Sequence, residues 1–222
     1  LLLKFVLLLL KICKDKAVNN FPYGQKEMDY LAAADSKLAM VIKAVGKIER
    51  QTSPDIFASL ISSIISQQIS GKAAETIRSR VEALAGGSLT PRALQNLSAD
   101  SLSSCGLSGT KVRYIQTAAR AATDGTIDFV ALKNLSDEEV VATLIALPGV
   151  GRWTAEMLLI FSLSRPDIIS YHDFGIRKGM ELLYGIDKLS KKDFLRLSAA
   201  YHPYATVASF YLWHVGNNNW QP

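Results

Sequence analysis

The stretch LPGVGRWTAEM, residues 147–157, separates two helical patterns by one proline and two glycines. Apolar residues recur at three- and four-residue steps on both sides of this break, as in helices with one buried face. The first pattern is DEEVVATLIA, and the second is RWTAEMLLIFSL. LPGVG therefore predicts a tight turn at 147–151. Amides of Gly149 and Gly151 at the start of the second helix would point outward as donors, an arrangement that binds phosphate. An ordinary connection, in which the glycines serve only the turn, fits this local pattern equally well.

Helical signals of the same kind fill the chain from Lys26 onward, and no segment shows sustained alternation of apolar and polar residues. Ser53-Pro54 predicts a helix start, with serine as the N-cap and proline in the first turn. Ser136 followed by Glu139 predicts a capping box. We therefore expect an all-α protein with short connections, arranged as two helical lobes.

The composition indicates a globular protein with a basic balance. Of 222 residues, 49% are hydrophobic and 20% are charged, and the formal net charge of +5 is compatible with a polyanionic partner. Cys13 and Cys105 offer neither a disulfide framework nor metal-ligand spacing. The apolar run at residues 1–10 is shorter than the roughly 20 residues that a membrane-spanning helix needs. The role of segment 1–20 stays open, with a short buried or interfacial element and an anchor as the alternatives. For the protein as a whole we expect no membrane partner.

A carboxylate opens a later helical pattern. In YHDFGIRKGMELLYG, residues 171–185, Asp173 comes directly before the apolar positions. Aspartate is a common N-cap that stabilises a helix by about 1 kcal/mol, and this explanation is sufficient for the local pattern. Asp173 also lies 20 residues after Trp153 (173 − 153 = 20), so one helix and a returning loop would allow the two side chains to approach.

Several motifs in a fixed order resemble one known family. These are FPYGQKEMDYL, SLISSIISQQISGKAA, LPGVGRWTAEMLLIF, the aspartate in YHDFGIRKG, and YHPYATVASFYLWHV with a terminal WQP. Together they resemble the helix–hairpin–helix DNA glycosylases (the HhH-GPD superfamily), in particular the alkylation-repair branch of the 3-methyladenine DNA glycosylase II type. The resemblance implies one glycosylase unit over 21–222, with two helical lobes, the hairpin at 147–151 and the active site in the cleft between the lobes.

The resemblance also implies roles for the residues around the bond that is cleaved. Asp173 would be the catalytic carboxylate, which stabilises positive charge on the deoxyribose or orients a water. Trp153 stands where strand-cleaving relatives carry a lysine, which implies base release without strand cleavage, and its ring would stack on a cationic base. Tyr204 and Met157 match other base-pocket positions, where the branch carries tryptophan and tyrosine. A core position for Trp153 is the structural alternative.

A second group of residues would contact the DNA backbone or the gap left by the extruded base. Gln68 matches the wedge that enters the base stack, and its alternative is a glutamine that bonds the local backbone at a helix end. Gly149 and Gly151 would donate amides to a phosphate. Arg152, Lys178 and Lys111 either attract the DNA backbone or are ordinary solvated surface charges. The resemblance further implies a structural monovalent cation at the hairpin. Its ligands would be the main-chain carbonyls of Ile145, Leu147 and Val150.

The sequence therefore predicts a DNA glycosylase that removes alkylated purines from damaged double-stranded DNA as a monomer, with no required cofactor. Two alternatives stay open: a related glycosylase for oxidised or deaminated bases, which the methionine at position 157 permits, and a non-catalytic hairpin module that binds DNA. Four clustered cysteines for an iron–sulfur centre are absent from the carboxyl-terminal part of the sequence. We expect a nucleoid-associated cytoplasmic protein in a bacterium or archaeon, or a nuclear one in a eukaryote.

Overall fold

The computed structural model describes residues 19–218, so most of segment 1–20 and the terminal WQP motif lie outside the described residues. Within 19–218 the chain forms twelve α-helices, two short 3-10 helices and one two-stranded ladder. The all-α prediction is confirmed. The helices are α1 (Gln25–Ala34), α2 (Ser36–Val45), α3 (Ile56–Ser66), α4 (Gly71–Leu84), α5 (Pro91–Gln95), α6 (Ala99–Ser104), α7 (Gly109–Thr123), α8 (Asp137–Ile145), α9 (Arg152–Phe161), α10 (Phe174–Tyr184), α11 (Lys191–Ser198) and α12 (Ala205–Asn217).

Contacts divide the described chain into two compact units. The first unit spans 53–163 and holds α3 to α9, and the second joins 19–52 to 164–218. In the second unit, strand β1 (Asn19–Asn20) pairs antiparallel with strand β2 (Gln51–Thr52). None of the helices within residues 19–218 combines the length and the hydropathy needed to cross a membrane.

Helix α3 is the central helix of the first unit, and ten of its eleven residues are buried. Its serines are compatible with burial because their hydroxyls bond backbone carbonyls one turn earlier: Ser62 Oγ donates to Ala58 O at 2.8 Å and Ser66 Oγ to Ser62 O at 3.0 Å. The helix begins two residues later than Ser53-Pro54 predicts, because the Asp55 carboxylate accepts the Ala58 amide at 2.9 Å and acts as the N-cap.

The second unit is built around α12, whose residues from Ala205 to Trp213 are all buried. Helix α10 packs directly against it, and the two backbones approach closely at two glycines. A Cβ atom on Gly179 would overlap the carbonyl oxygen of Leu212, and one on Gly216 would crowd the carbonyl oxygen of Gly175. The separation of α10 and α12 is therefore set by backbone contact.

Candidate functional site

The predicted hairpin is present between α8 and α9. Ser136 caps α8 through the expected capping box with Glu139. The turn that follows is closed by hydrogen bonds from Leu147 N to Leu144 O at 3.1 Å and from Val150 N to Leu147 O at 3.2 Å. Helix α9 then starts at Arg152.

The two glycines of the hairpin meet different requirements. Gly149 has φ = 82°, and a Cβ atom there would overlap the ring of Tyr114, so both conformation and space require glycine. Gly151 is extended, has open space around its Cα, and is the N-cap of α9. Because glycine has no side chain, the N-cap residue supplies no acceptor for the first-turn amides of α9. An anion with access to this helix end would take that place.

Arg152, at the start of α9, bonds two carboxylates. Its Nη2 lies 2.7 Å from Glu138 Oε1 and its Nε lies 3.0 Å from Glu156 Oε1. The hydrogen bond to Glu138 is the main cause of a raised pKa of Arg152. The guanidinium charge is thus matched within the protein, and a phosphate contact of Arg152 stays a prediction.

The loop between α3 and α4 carries the predicted wedge. Gln68 is exposed and has φ = 58°, a left-handed conformation that is uncommon for glutamine. The neighbouring Gln67 side chain donates from Nε2 to Gly149 O at 2.9 Å. The structure therefore brings the predicted wedge loop and the predicted phosphate-binding hairpin together in the first unit.

The two predicted pocket residues of α9 lie one helical turn apart. Trp153 is half-buried, whereas Met157 is 1% exposed and belongs to the buried set of α9. Residues at this spacing share one helix face. The base-contacting roles of both side chains stay predictions.

Asp173 is the N-cap of α10 in the second unit, so the structural role suggested by its position is confirmed. The carboxylate is only 1% exposed, and its Oδ1 accepts two hydrogen bonds of 2.9 Å, one from the amide of Ile176 and one from the indole Nε1 of Trp213. A buried carboxylate requires such donors, and here they fix the orientation of the group. The catalytic role is compatible with the cap, since both need an ordered carboxylate.

The contact of Trp213 with Asp173 was not predicted from the sequence. The indole of Trp213 is buried in α12, and its N–H, a donor only, requires an acceptor. From the sequence one could therefore expect that a buried Trp213 bonds some acceptor, but not that the acceptor is Asp173.

Tyr204, the remaining predicted pocket residue, is half-buried and precedes α12. Its ring meets the ring of Tyr30 edge to face, with centroids 5.2 Å apart. The hydroxyl of Tyr30 in turn donates to His202 O at 2.7 Å. The structure therefore places Tyr204 in an aromatic pair of the second unit, and a contact with a base stays a prediction.

The predicted cation ligands are main-chain oxygens of the hairpin. Leu147 O already accepts the amide of Val150, although a carbonyl oxygen has a second lone pair. No group of three or more His, Cys, Asp or Glu side chains suitable for a metal ion occurs among residues 19–218. A cation bound by the carbonyls of Ile145, Leu147 and Val150 stays a prediction.

Comparison with known proteins gives consistent matches. Residues 61–201 match the family model described as HhH-GPD superfamily base excision DNA repair protein. The chain is 32% identical over 191 residues to DNA-3-methyladenine glycosylase 1 of Schizosaccharomyces pombe, covering 83% of this chain and 84% of the relative.

Two solved structures share the fold. A DNA-3-methyladenine glycosidase from Bacillus halodurans superposes with a TM-score of 0.83 and 37% identity, over 90% of this chain and 94% of the other. The Schizosaccharomyces pombe 3-methyladenine DNA glycosylase in complex with abasic DNA has a TM-score of 0.76 and 30% identity, over 89% of this chain and all of that one (100%).

Proposed function

The chain belongs to the HhH-GPD superfamily of base excision DNA repair proteins, and on that premise we propose that it is a DNA glycosylase for alkylated purines. Its substrates would be bases of the 3-methyladenine and 7-methylguanine type in duplex DNA, and its product an abasic site. This substrate class is supported by the names of the relatives from Schizosaccharomyces pombe and Bacillus halodurans, both of which specify 3-methyladenine. The observation that carries the proposal is the buried Asp173 carboxylate, which is oriented through Oδ1 by Ile176 N and Trp213 Nε1.

The chemistry needs a single well-placed carboxylate. When the bond between C1′ and the base nitrogen breaks, its electron pair leaves with the base and positive charge develops on the deoxyribose. Asp173 stabilises this charge. A water oxygen then bonds to C1′ and releases its proton to the solvent, so the products are the neutral methylated base and an abasic site. Alkylation at N3 or N7 has already made the base cationic, so it leaves without strong help from a general acid. The reaction is a hydrolysis and requires no cofactor.

Trp153 supports base release without strand cleavage. A lysine at this position would attack C1′ and form a Schiff base that leads to strand scission, whereas an indole cannot form that intermediate. The aromatic face of Trp153 instead attracts an electron-poor, cationic base by a cation–π interaction. This preference favours alkylated purines over neutral ones.

The first unit supplies the DNA contacts of the proposal. Amides of the hairpin at Gly149 and Gly151 bind a phosphate without regard to sequence. The carbonyls of Ile145, Leu147 and Val150 would hold a monovalent cation, which would supply further positive charge there. Gln68, exposed in its left-handed conformation, fills the gap in the base stack. Unstacking and unpairing a base costs a few kcal/mol, which the wedge offsets.

The test is release of methylated bases from methylated duplex DNA by the wild type and by Asp173→Asn. We expect the variant to release bases about 10²- to 10³-fold more slowly, because it lacks the charge that stabilises the sugar cation. Asp187→Asn removes an exposed carboxylate of the same unit and is the matched control, with the wild-type rate expected.

Two further measurements separate the parts of the proposal. Asp173→Asn should bind an abasic-site duplex as tightly as the wild type, which shows that chemistry and not binding is lost. Equal base release by both proteins would overturn the catalytic assignment. The product strand should break only after alkali, and a strand cut without alkali would contradict the proposed lack of lyase activity.

A further inference from the structure

The ammonium of Lys111 bonds the backbone at the end of α3. Its Nζ donates to Ile65 O and to Gln67 O, both at 2.7 Å. Burial lowers the pKa of this lysine. A cation at the carboxyl end of a helix also interacts favourably with the helix dipole. Lys111 is therefore held by the protein, whereas its sequence position suggested a surface charge for DNA.

The same region of α7 also supports the hairpin. Tyr114 lies one turn after Lys111, on the same helix face, and its ring occupies the space beside Gly149 that a Cβ atom would need. The side chain of Gln67 then joins loop to hairpin through its 2.9 Å hydrogen bond to Gly149 O. Lys111, Gln67 and Tyr114 thus connect the loop at 67–70, the hairpin and α7.

These contacts surround a residue in an unfavourable backbone conformation. Gln68 has φ = 58°, where the Cβ atom of an L-residue is crowded by its own backbone. Such a conformation persists only where neighbouring bonds enforce it. The preceding residue, Gln67, is held on both sides: its carbonyl accepts from Lys111, and its side chain donates to Gly149.

We propose that Lys111 is a positioning residue for base extrusion. By holding the carbonyls of Ile65 and Gln67, it fixes the loop so that Gln68 projects at a constant place relative to the hairpin. A phosphate bound at the hairpin and a wedge in the base stack then act as one preorganised unit. The inference rests on the proposed function, because it assigns Lys111 a task only if Gln68 enters the DNA.

A positioning role of Lys111 and a general loss of stability predict different effects on excision. The free energy needed to extrude a base is large for a correctly paired base and small for one without a partner. A misplaced wedge should therefore slow excision of a paired lesion and leave an unpaired lesion nearly unaffected. A damaged fold would slow both excisions by the same factor.

The experiment uses two duplexes, with a single N7-methylguanine opposite cytosine or opposite a stable abasic-site analogue. Single-turnover rates are measured for the wild type, Lys111→Met, Lys111→Arg and Lys72→Met. We expect Lys111→Met to slow the paired substrate about tenfold, the effect of losing charge-assisted hydrogen bonds, and the unpaired substrate less than about threefold. Arginine can still donate to both carbonyls and should restore most of the paired rate.

Lys72→Met is the matched control, since it removes the same charge from an exposed position one residue into α4. It should change both rates by the same factor. An unchanged ratio of paired to unpaired rates in Lys111→Met would overturn the inference. Failure of the wild type to release either base would instead overturn the proposed function.

A second variant keeps the test decisive if Lys111→Met unfolds at the assay temperature. Gln67→Met preserves the length of the side chain, leaves Lys111 in place and removes only the hydrogen bond to Gly149 O. A selective loss on the paired substrate supports the coupling of loop and hairpin. Equal losses on both substrates overturn it.

Discussion

The indole nitrogen of Trp213 donates a 2.9 Å hydrogen bond to Oδ1 of Asp173, across 40 residues of sequence. The same oxygen accepts the Ile176 amide in the first turn of α10. Two donors from two packed helices therefore determine where this carboxylate points. An N-cap alone would fix only its distance from one helix end, so the second donor adds orientation.

Replacing Trp213 by phenylalanine should lower the rate of base release about tenfold, because one charge-assisted hydrogen bond to Asp173 is lost. Affinity for an abasic-site duplex should be unchanged. Phe210→Leu is the control, because the ring of Phe210 stacks on Trp213 with centroids 6.0 Å apart. This substitution disturbs the same packing but leaves the hydrogen bond from Trp213 to Asp173 in place. Equal rate losses in the two variants would mean that Trp213 acts only through packing.

Trp153→Leu should reduce the preference for cationic bases. A cation–π interaction contributes about 0.5 to 2 kcal/mol, so release of N7-methylguanine should fall by roughly two- to thirtyfold. Release of hypoxanthine, which is neutral, should fall less. Trp153→Phe keeps an aromatic face and should retain most of the preference. A uniform fall for both bases would favour a core role for Trp153.

The two hairpin glycines should respond differently to alanine. Gly149→Ala places a Cβ at positive φ and against the ring of Tyr114, so we expect a loss of about 2 to 4 kcal/mol in the free energy of unfolding, with weaker DNA binding. Gly151→Ala, at an extended and open position, should lose less than about 1 kcal/mol. Urea unfolding and affinity for abasic DNA check both, and equal losses would contradict this account.

Stability should depend on pH through the cap of α8. Hydrogen bonds from the Ser136 hydroxyl and amide lower the pKa of Glu139. A carboxylate whose pKa falls on folding stabilises the protein above its unfolded pKa, about 4.3, and this contribution is lost as the pH falls through the lower, folded pKa. Glu139→Gln should therefore be less stable than the wild type at pH 7, and the difference should shrink below about pH 4.

The measurement for this cap is urea unfolding of both proteins between neutral and acidic pH. Asp187→Asn removes an exposed carboxylate outside any helix and serves as the control. A difference between wild type and Glu139→Gln that stays constant down to the lowest pH would contradict the role assigned to the carboxylate.

Local signals predicted the local structure well. The glycines of LPGVG and the pair Ser136 and Glu139 act within a few residues of themselves, so the hairpin and its preceding helix could be predicted from sequence. The same holds for Asp173 as an N-cap. The start of α3 was predicted two residues early, because both Ser53 and Asp55 are common N-cap residues. The proline between them is compatible with either helix start.

Contacts between distant residues could not be predicted. The pattern of α12 indicates burial, yet it does not show that the indole of Trp213 meets Asp173 and no other acceptor. Lys111 looked like a solvated charge because its partners are backbone carbonyls, which carry no side-chain signal at Ile65 or Gln67. Both relationships depend on how helices pack, which the periodicity of a single helix does not specify.

The glycine contact between α10 and α12 limits how the two helices that carry Asp173 and Trp213 can move relative to each other. With Gly179 against the backbone of Leu212, and Gly216 against that of Gly175, neither helix can slide along the other without a steric clash. The helix that Asp173 caps and the helix that holds Trp213 are therefore fixed relative to each other. Under the proposed mechanism, the carboxylate would need no reorganisation when charge develops on the sugar. We expect α10 and α12 to tolerate substitutions on their outer faces but not at Gly179 or Gly216. Changes in base preference would then come from side chains outside this helix contact.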